Sequence, residues 1–259
     1  EGEEESGSRS LPAFLEAHGE EIRRDLALIC DTGMWDRNTP AVTATLRGMM
    51  GEEIVIRAAD RDLHSGLYGA AAANPIRVLA RILADLHDDT GRVTLAGFYD
   101  GVEEPSAEIR AQWEALGFDT GAFLGAVGLS APAGERGRSA LEQVWSRPTC
   151  EFNGIAGGYA GEGFKTVIPA EARAKVSCRL VGRQDPEKVR AALRAHVEAR
   201  LPPDCRAEFH RHGSSPATVM DVSAPAFEAA RRALSEEWGR EAAFVGSGGS
   251  IPIAGRFKE

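Results

Sequence analysis

Residues 172–181 read Ala-Arg-Ala-Lys-Val-Ser-Cys-Arg-Leu-Val, and the way they alternate decides the fold. Ala174, Val176, Cys178 and Leu180 fall on one side of an extended chain, with Lys175, Ser177 and Arg179 on the other. That is the period of a strand with one covered face. Toward the C-terminus, Asp185-Pro186-Glu187 starts a helix, and Val189, Leu193, Val197 and Leu201 recur at the spacing of a single helical face. Cys205–Arg211 then reads as a strand. Toward the N-terminus, Cys150–Ile155 and Glu52–Ala59 read as strands. Between them Asn74 caps a helix with Pro75 at its first position, and Ile76, Leu79, Ile82, Leu83 and Leu86 form its apolar stripe. The order is β-α-insert-β-β-α-β, the ferredoxin-like split βαβ arrangement, and residues 48–212 are expected to fold as such an α+β lid. The stretch 89–149, rich in Gly, Pro and charge, is expected to be surface insertion with one short helix near Ala107–Leu116.

The flanks have a different character. Residues 9–18 and 20–25 are helix-compatible and lead into Leu26-Ala27-Leu28-Ile29-Cys30, an apolar run of the kind buried strands use. Asp31-Thr32-Gly33 ends that run and places Asp31 at a strand edge, where α/β sheets bind ligands. A second strand, Ala41–Arg47, follows the turn at Asn38-Thr39-Pro40, and a helix at Ala224–Trp238 precedes a strand at Ala242–Val245. Residues 1–47 and 213–259 are therefore expected to be two parts of one discontinuous α/β domain interrupted by the lid.

Composition excludes several function classes. The 259 residues are 43% hydrophobic and 27% charged, with a net charge of −9. An acidic chain of this kind is a poor partner for nucleic acid, whose phosphates need a basic surface. No apolar run reaches the roughly 18–20 residues that cross a bilayer. Cys30, Cys150, Cys178 and Cys205 are scattered without a Cys-x-x-Cys pair, which fits free buried thiols in a reducing cytoplasm better than a zinc ribbon or a disulfide scaffold. The chain opens without Met and closes on Gly-Arg-Phe-Lys-Glu at 255–259, which reads as an internal fragment of a longer chain.

Candidate chemistry is dispersed. Glu3-Glu4-Glu5-Ser6-Gly7-Ser8 is a solvated acidic face on base rates, but adjacent carboxylates on a turn can split roles, one binding a cation while its neighbour reaches a metal-bound water. Asp31 is either an Asx-turn residue or a hard-oxygen ligand. In Asp62-Leu63-His64-Ser65-Gly66, His64 is a loop residue or a catalyst; Ser65 is no nucleophile, because no Gly-x-Ser-x-Gly elbow precedes a helix. Arg179 is a solvated cation or a fork for a carboxylate. Gly248-Gly249-Ser250-Ile251-Pro252 is a plain turn or an anion cradle. His18, His87 and His196 fall in helical segments and read as solvated, while His210 and His212 alternate on a strand end.

Taken together and in this order, these segments resemble the M20 metallopeptidases, nearest the carnosinase-like dipeptidase branch, with acetylornithine deacetylase and succinyl-diaminopimelate desuccinylase as cousins. The segments are residues 1–8, Asp31-Thr32-Gly33-Met34-Trp35, 62–66, Lys165-Thr166-Val167-Ile168-Pro169, Ser177-Cys178-Arg179-Leu180-Val181 and 248–252. The resemblance implies a partial α/β metallopeptidase catalytic domain with the ferredoxin-like lid inserted into it. It implies Glu4 as general base, Glu5 and Asp31 as ligands of two divalent ions, typically zinc, and His64 as an oxyanion donor reaching the partner subunit of a homodimer formed through the lid. Arg179 would hold the substrate carboxylate, supported by Thr166 and Ser250.

The substrate would be a small peptide, or an N-acyl amino acid if the chain is a deacylase instead. Two histidines and a bridging Asp of the family's ligand set have no counterpart here, so the fragment alone is expected to be inactive, and a binding or dimerisation module is the remaining alternative. Ser247 stands where dipeptidase relatives often carry Glu, which leaves dipeptidase and deacylase both open.

Overall fold

The computed structural model describes residues 2–3 and 8–257. The chain divides into two compact units, Glu1–Thr32 and Gly33–Glu259. The first carries helix α1 (Leu11–Ile22), with Pro12 in its opening turn. The Glu3 carboxylate accepts from the Ser10 hydroxyl at 2.7 Å and the Ser10 amide at 2.9 Å. Those two bonds hold it below the usual carboxylate range, so Glu3 secures the entry to a helix.

The expected strand at Leu26–Cys30 does not form. The run is irregular, Leu26 and Leu28 are exposed, and so is Cys30. A strand needs a neighbouring ladder for its amides and carbonyls, and this unit has no strand among the described residues. Asp31 accordingly sits in an exposed irregular segment and not at a strand end.

The second unit begins with β1 (Ala41–Leu46), β2 (Gly48–Arg57), β3 (Leu63–His64), α2 (Ser65–Tyr68) and α3 (Pro75–Ala84). Next come α4 (Ala107–Ala115), α5 (Thr120–Gly125), α6 (Ala140–Trp145), β4 (Thr149–Gly157), β5 (Val167–Ile168), β6 (Glu171–Leu180) and α7 (Pro186–Glu198). It closes with β7 (Arg206–Ser215), β8 (Thr218–Val219), α8 (Pro225–Trp238), β9 (Ala243–Ser247) and α9 (Pro252–Arg256).

Four strands form an antiparallel sheet in the order β4-β6-β2-β7. With α3 and α7 against its strands, this is the split βαβ topology the alternation at 172–181 predicts. Ala174, Val176, Cys178 and Leu180 are the buried face of β6, packed with Met50, Ile54 and Ile56 of β2, Leu79 and Ile82 of α3, and Leu193 and Val197 of α7. Both helices start as the sequence dictates. The Asn74 carboxamide accepts from Ile76 N at 3.0 Å, and the Asp185 carboxylate accepts from Glu187 N at 2.8 Å. A separate three-stranded sheet has the order β8-β1-β9, with β1 and β9 parallel.

Four expectations differ from the structure. The stretch 89–149 is not surface insertion alone: Val93, Leu95 and Phe98 enter the core, and the stretch carries α4, α5 and α6. The apolar run there is too short for either period to register, yet Gln184 ties it down by donating to the Phe98 carbonyl. His196 is buried, not solvated; Nε2 lies 3.2 Å from the Ile82 carbonyl, and burial pushes its pKa down. It follows Leu193 by three residues and so shares the helix's inner face. His87 lies outside α3, in an isolated bridge with Val93. Ile76, expected in the stripe, is partly exposed.

Cys150 and Cys178 face each other in register across β4 and β6, both buried and both free thiols. The hydrogen bond to Cys150, with burial, holds the Cys178 thiol well above its ordinary range, so it is protonated and a poor nucleophile. No helix among the described residues is long and apolar enough to cross a membrane.

Candidate active site

The chain passes from the three-stranded to the four-stranded sheet at Arg47-Gly48. A Cβ on Gly48 would lie 2.5 Å from the Ser215 carbonyl oxygen and the Ala217 amide, so only glycine fits this crossing. The parallel pairing of β1 with β9 then brings the loop after β9 over the crossing. The Arg47 amide donates to Gly249 O at 3.1 Å, and its Nε donates to Gly248 O at 3.0 Å. The Ser250 hydroxyl donates to Arg47 O at 2.5 Å. A Cβ on Gly248 would meet Arg47 Nη2 and Val144 Cγ1 at 3.0 Å each, a measure of how closely the loop lies on the guanidinium.

Arg179 joins this cluster from β6. Its place on the solvent-side face of the alternating strand points it away from the core, and its Nη1 donates to Ser250 Oγ at 2.9 Å. Two guanidiniums therefore share one small polar site. Burial, and next the charge of Arg179, lower the Arg47 pKa to about 10, with Glu151 opposing. Among the described residues no carboxylate lies within ion-pair distance of either arginine. Two neighbouring cations with Glu151 beyond ion-pair distance, one of them offering a planar fork, suit a carboxylate ligand.

His64 occupies a second cluster. The β3–β5 ladder pairs His64 with Val167, and Ser65 N donates to Thr166 O at 2.9 Å. The Asp62 carboxylate holds the far side, accepting from Ala170 N at 2.8 Å. His64 caps α2: its Nδ1 accepts from Gly66 N at 3.0 Å. An accepting Nδ1 places the proton of the neutral ring on Nε2, which lies 3.1 Å from Thr166 Oγ1. The exposed ring is thus aligned by backbone at Nδ1, and its one N–H donor is directed at Thr166 Oγ1.

The expected site residues fall into separate groups. Arg179 and Ser250 are joined, while Thr166, expected beside Arg179, stands with His64. Glu4 and Glu5 lie outside the described residues. Asp31 belongs to the first unit and is exposed. His212 is 3.9 Å from Glu53 on β2. No group of three or more His, Cys, Asp or Glu side chains placed to hold a metal ion occurs among the described residues. The described donor set therefore does not make a metal site. Arg47 was invisible to motif reading; the one signal was an arginine followed by glycine at the end of an apolar strand.

The profile of the M20 peptidase dimerisation domain matches residues 44–205. The Cys-Gly metallodipeptidase DUG1 of Saccharomyces cerevisiae is 30% identical over 266 residues, covering 100% of this chain and 55% of the relative. Among solved structures, the M20 family metallo-carboxypeptidase Sso-CP2 of Sulfolobus solfataricus superposes with a TM-score of 0.86 at 30% identity, over 98% of this chain and 57% of that one. Human carnosine dipeptidase 1 superposes with a TM-score of 0.83 at 26% identity, over 100% of this chain and 55% of that one. The chain spans about half the length of the curated relatives it matches, 52–56% for the first six. The profile match, the antiparallel sheet with its two helices and these superpositions agree: the chain belongs to the M20 peptidase family and carries its dimerisation domain.

Proposed function

We propose that this chain is the lid, with adjoining catalytic segments, of a divalent-metal-dependent dipeptidase. The observation that carries the proposal is the Arg179–Ser250–Arg47 cluster, a cationic fork with no carboxylate partner, in a chain whose relatives are named for cleaving Cys-Gly and β-Ala-His. A dipeptide ends in a carboxylate one residue from its scissile bond, so an anchor there positions the carbonyl. Residues 48–212 serve as the lid and dimerisation domain, and 1–47 with 213–259 as parts of a discontinuous catalytic domain. The change of sheet between β1 and β2, and again between β7 and β8, supports that division.

In this reading Arg179 grips the substrate carboxylate and Ser250 holds the guanidinium in plane. The Nε2–H of His64, acting in the partner subunit of a homodimer, donates to the carbonyl oxygen as it gains charge. Glu4 accepts the proton of the attacking water and returns it to the leaving amine. Glu5 and Asp31 are proposed metal ligands, with two zinc ions as the complement and the other ligands supplied outside this chain. A cytoplasmic setting fits the free Cys150–Cys178 pair.

The full-length protein is expected to hydrolyse dipeptides at least about tenfold faster, in kcat/KM, than N-acyl amino acids with the same C-terminal residue. Steady-state assays on matched pairs test this. A preference for the N-acyl series would replace dipeptidase by deacylase, the reading that Ser247 leaves open.

A further inference from the structure

We infer that Arg47 is a positioning residue for the carboxylate anchor: it holds the 248–250 loop so that Ser250 presents its lone pairs, not its proton, to Arg179. The inference rests on the reading of Arg179 as that anchor and adds a residue to it.

Hydrogen-bond accounting leads there. A serine hydroxyl has one proton and two lone pairs. Ser250 Oγ gives its proton to Arg47 O at 2.5 Å and therefore meets Arg179 Nη1, 2.9 Å away, as an acceptor. Were the proton free to rotate, the hydroxyl would turn a donor toward the guanidinium part of the time and release it. The Arg47 carbonyl is itself held, because the amide of the same residue is bonded to Gly249 O and the side chain to Gly248 O. Three bonds from one residue thus fix three successive loop residues.

Arg47 Nη1 is enclosed and has no hydrogen-bond partner. Burial, and next the neighbouring charge of Arg179, lower the Arg47 pKa, with Glu151 opposing. The two like charges repel, Glu151 offsets part of this, and a bound carboxylate would offset more. The loop bonds keep Arg179 in place against that repulsion.

The test compares a dipeptide with its C-terminal amide in the full-length protein carrying Arg47→Ala, Arg47→Lys or Arg179→Ala. Arg47→Ala is expected to raise KM for the free-carboxylate dipeptide by about tenfold or more while kcat changes less than about threefold, and to shift kcat/KM for the amide by less than about twofold. Both variants retain the backbone bonds of residue 47; Arg47→Lys also retains the charge but not the Nε bond to Gly248 O, and should fall between wild type and Arg47→Ala. It also decides the matter if the alanine variant fails to fold. Equal losses on acid and amide for both Arg47 variants, or no change in the acid, would overturn the positioning role. If Arg179→Ala kept the wild-type preference for acid over amide, the anchor itself would fall, and the inference with it. Discrimination lost in Arg179→Ala but intact in both Arg47 variants would sink the inference alone.

Discussion

Replacing His64 with alanine in the full-length protein is expected to cut kcat on dipeptides by about 10²–10³-fold and to leave KM within about threefold. The ratio follows from where the ring stands. His64 is exposed, and its orientation comes from Gly66 N on Nδ1 and Thr166 Oγ1 beside Nε2. A neutral ring so held offers one donor, and a donor aimed at developing negative charge stabilises the transition state more than the ground state. Because α2 is one short turn and its cap is exposed, the alanine variant should fold. Asparagine, which keeps a donor of similar reach, should recover part of the loss. Unchanged kcat would remove His64 from the reaction. If the ring serves the partner's site, mixing His64→Ala with Glu4→Gln subunits should restore activity to about a quarter of wild type, since random pairing leaves half the dimers with one complete site. No recovery would place His64 in its own subunit's site.

The second large effect concerns stability. Glu52 is fully buried at the centre of the four-stranded sheet, where it accepts from Arg190 and from Arg194 Nε at 2.9 Å. Arg190 is buried as well, and donates to Gly51 O at 2.7 Å and His212 O at 3.2 Å. The net worth of such a triad is small, since desolvating its charges offsets their attraction. Breaking it is another matter. Glu52→Ala leaves the buried Arg190 charge with only the half-exposed Glu187 carboxylate, 3.5 Å from its Nε, and should destabilise the dimerisation domain by about 3–5 kcal/mol. Denaturant melts read this directly. Joint replacement of Glu52 and Arg190 by methionine should cost far less, because it removes both charges and keeps the volume. A Glu52→Ala change under about 1 kcal/mol would mean that Arg190 finds water or another acceptor.

How far the fold was legible in the sequence depended on whether a segment carried its own pattern. The alternation in 172–181 and the capped starts at Asn74 and Asp185 are local signals backed by local physics, and the four-stranded sheet with its two helices followed from them. Leu26–Cys30 had hydrophobicity without a partner to pair with, and a strand is a property of two chains. Phe98 and the buried Glu135–Arg147 pair belong to a stretch whose burial is decided by distant residues, so its composition looked like loop. His196 was misjudged because its charge was weighed above its place on the inner face of α7.

The site divided along the same line. Arg179 was singled out because strand alternation turned it outward, and His64 and Ser250 because each sits in a short motif; the roles proposed for them come from the family resemblance. Arg47 escaped because its importance comes from three bonds to residues about 200 positions away in the chain. The roles of Glu4, Glu5 and Asp31 rest on resemblance alone.

The cluster on β6 and the 248–250 loop is proposed to read a substrate's C-terminal carboxylate. The direct measurement is kcat/KM of the full-length, metal-supplemented protein on one dipeptide and on the same dipeptide amidated at its C-terminus. The account predicts that the free acid is favoured by about 100-fold or more, the value of a charge-assisted bidentate pair in a partly desolvated site. Equal rates on acid and amide would contradict it.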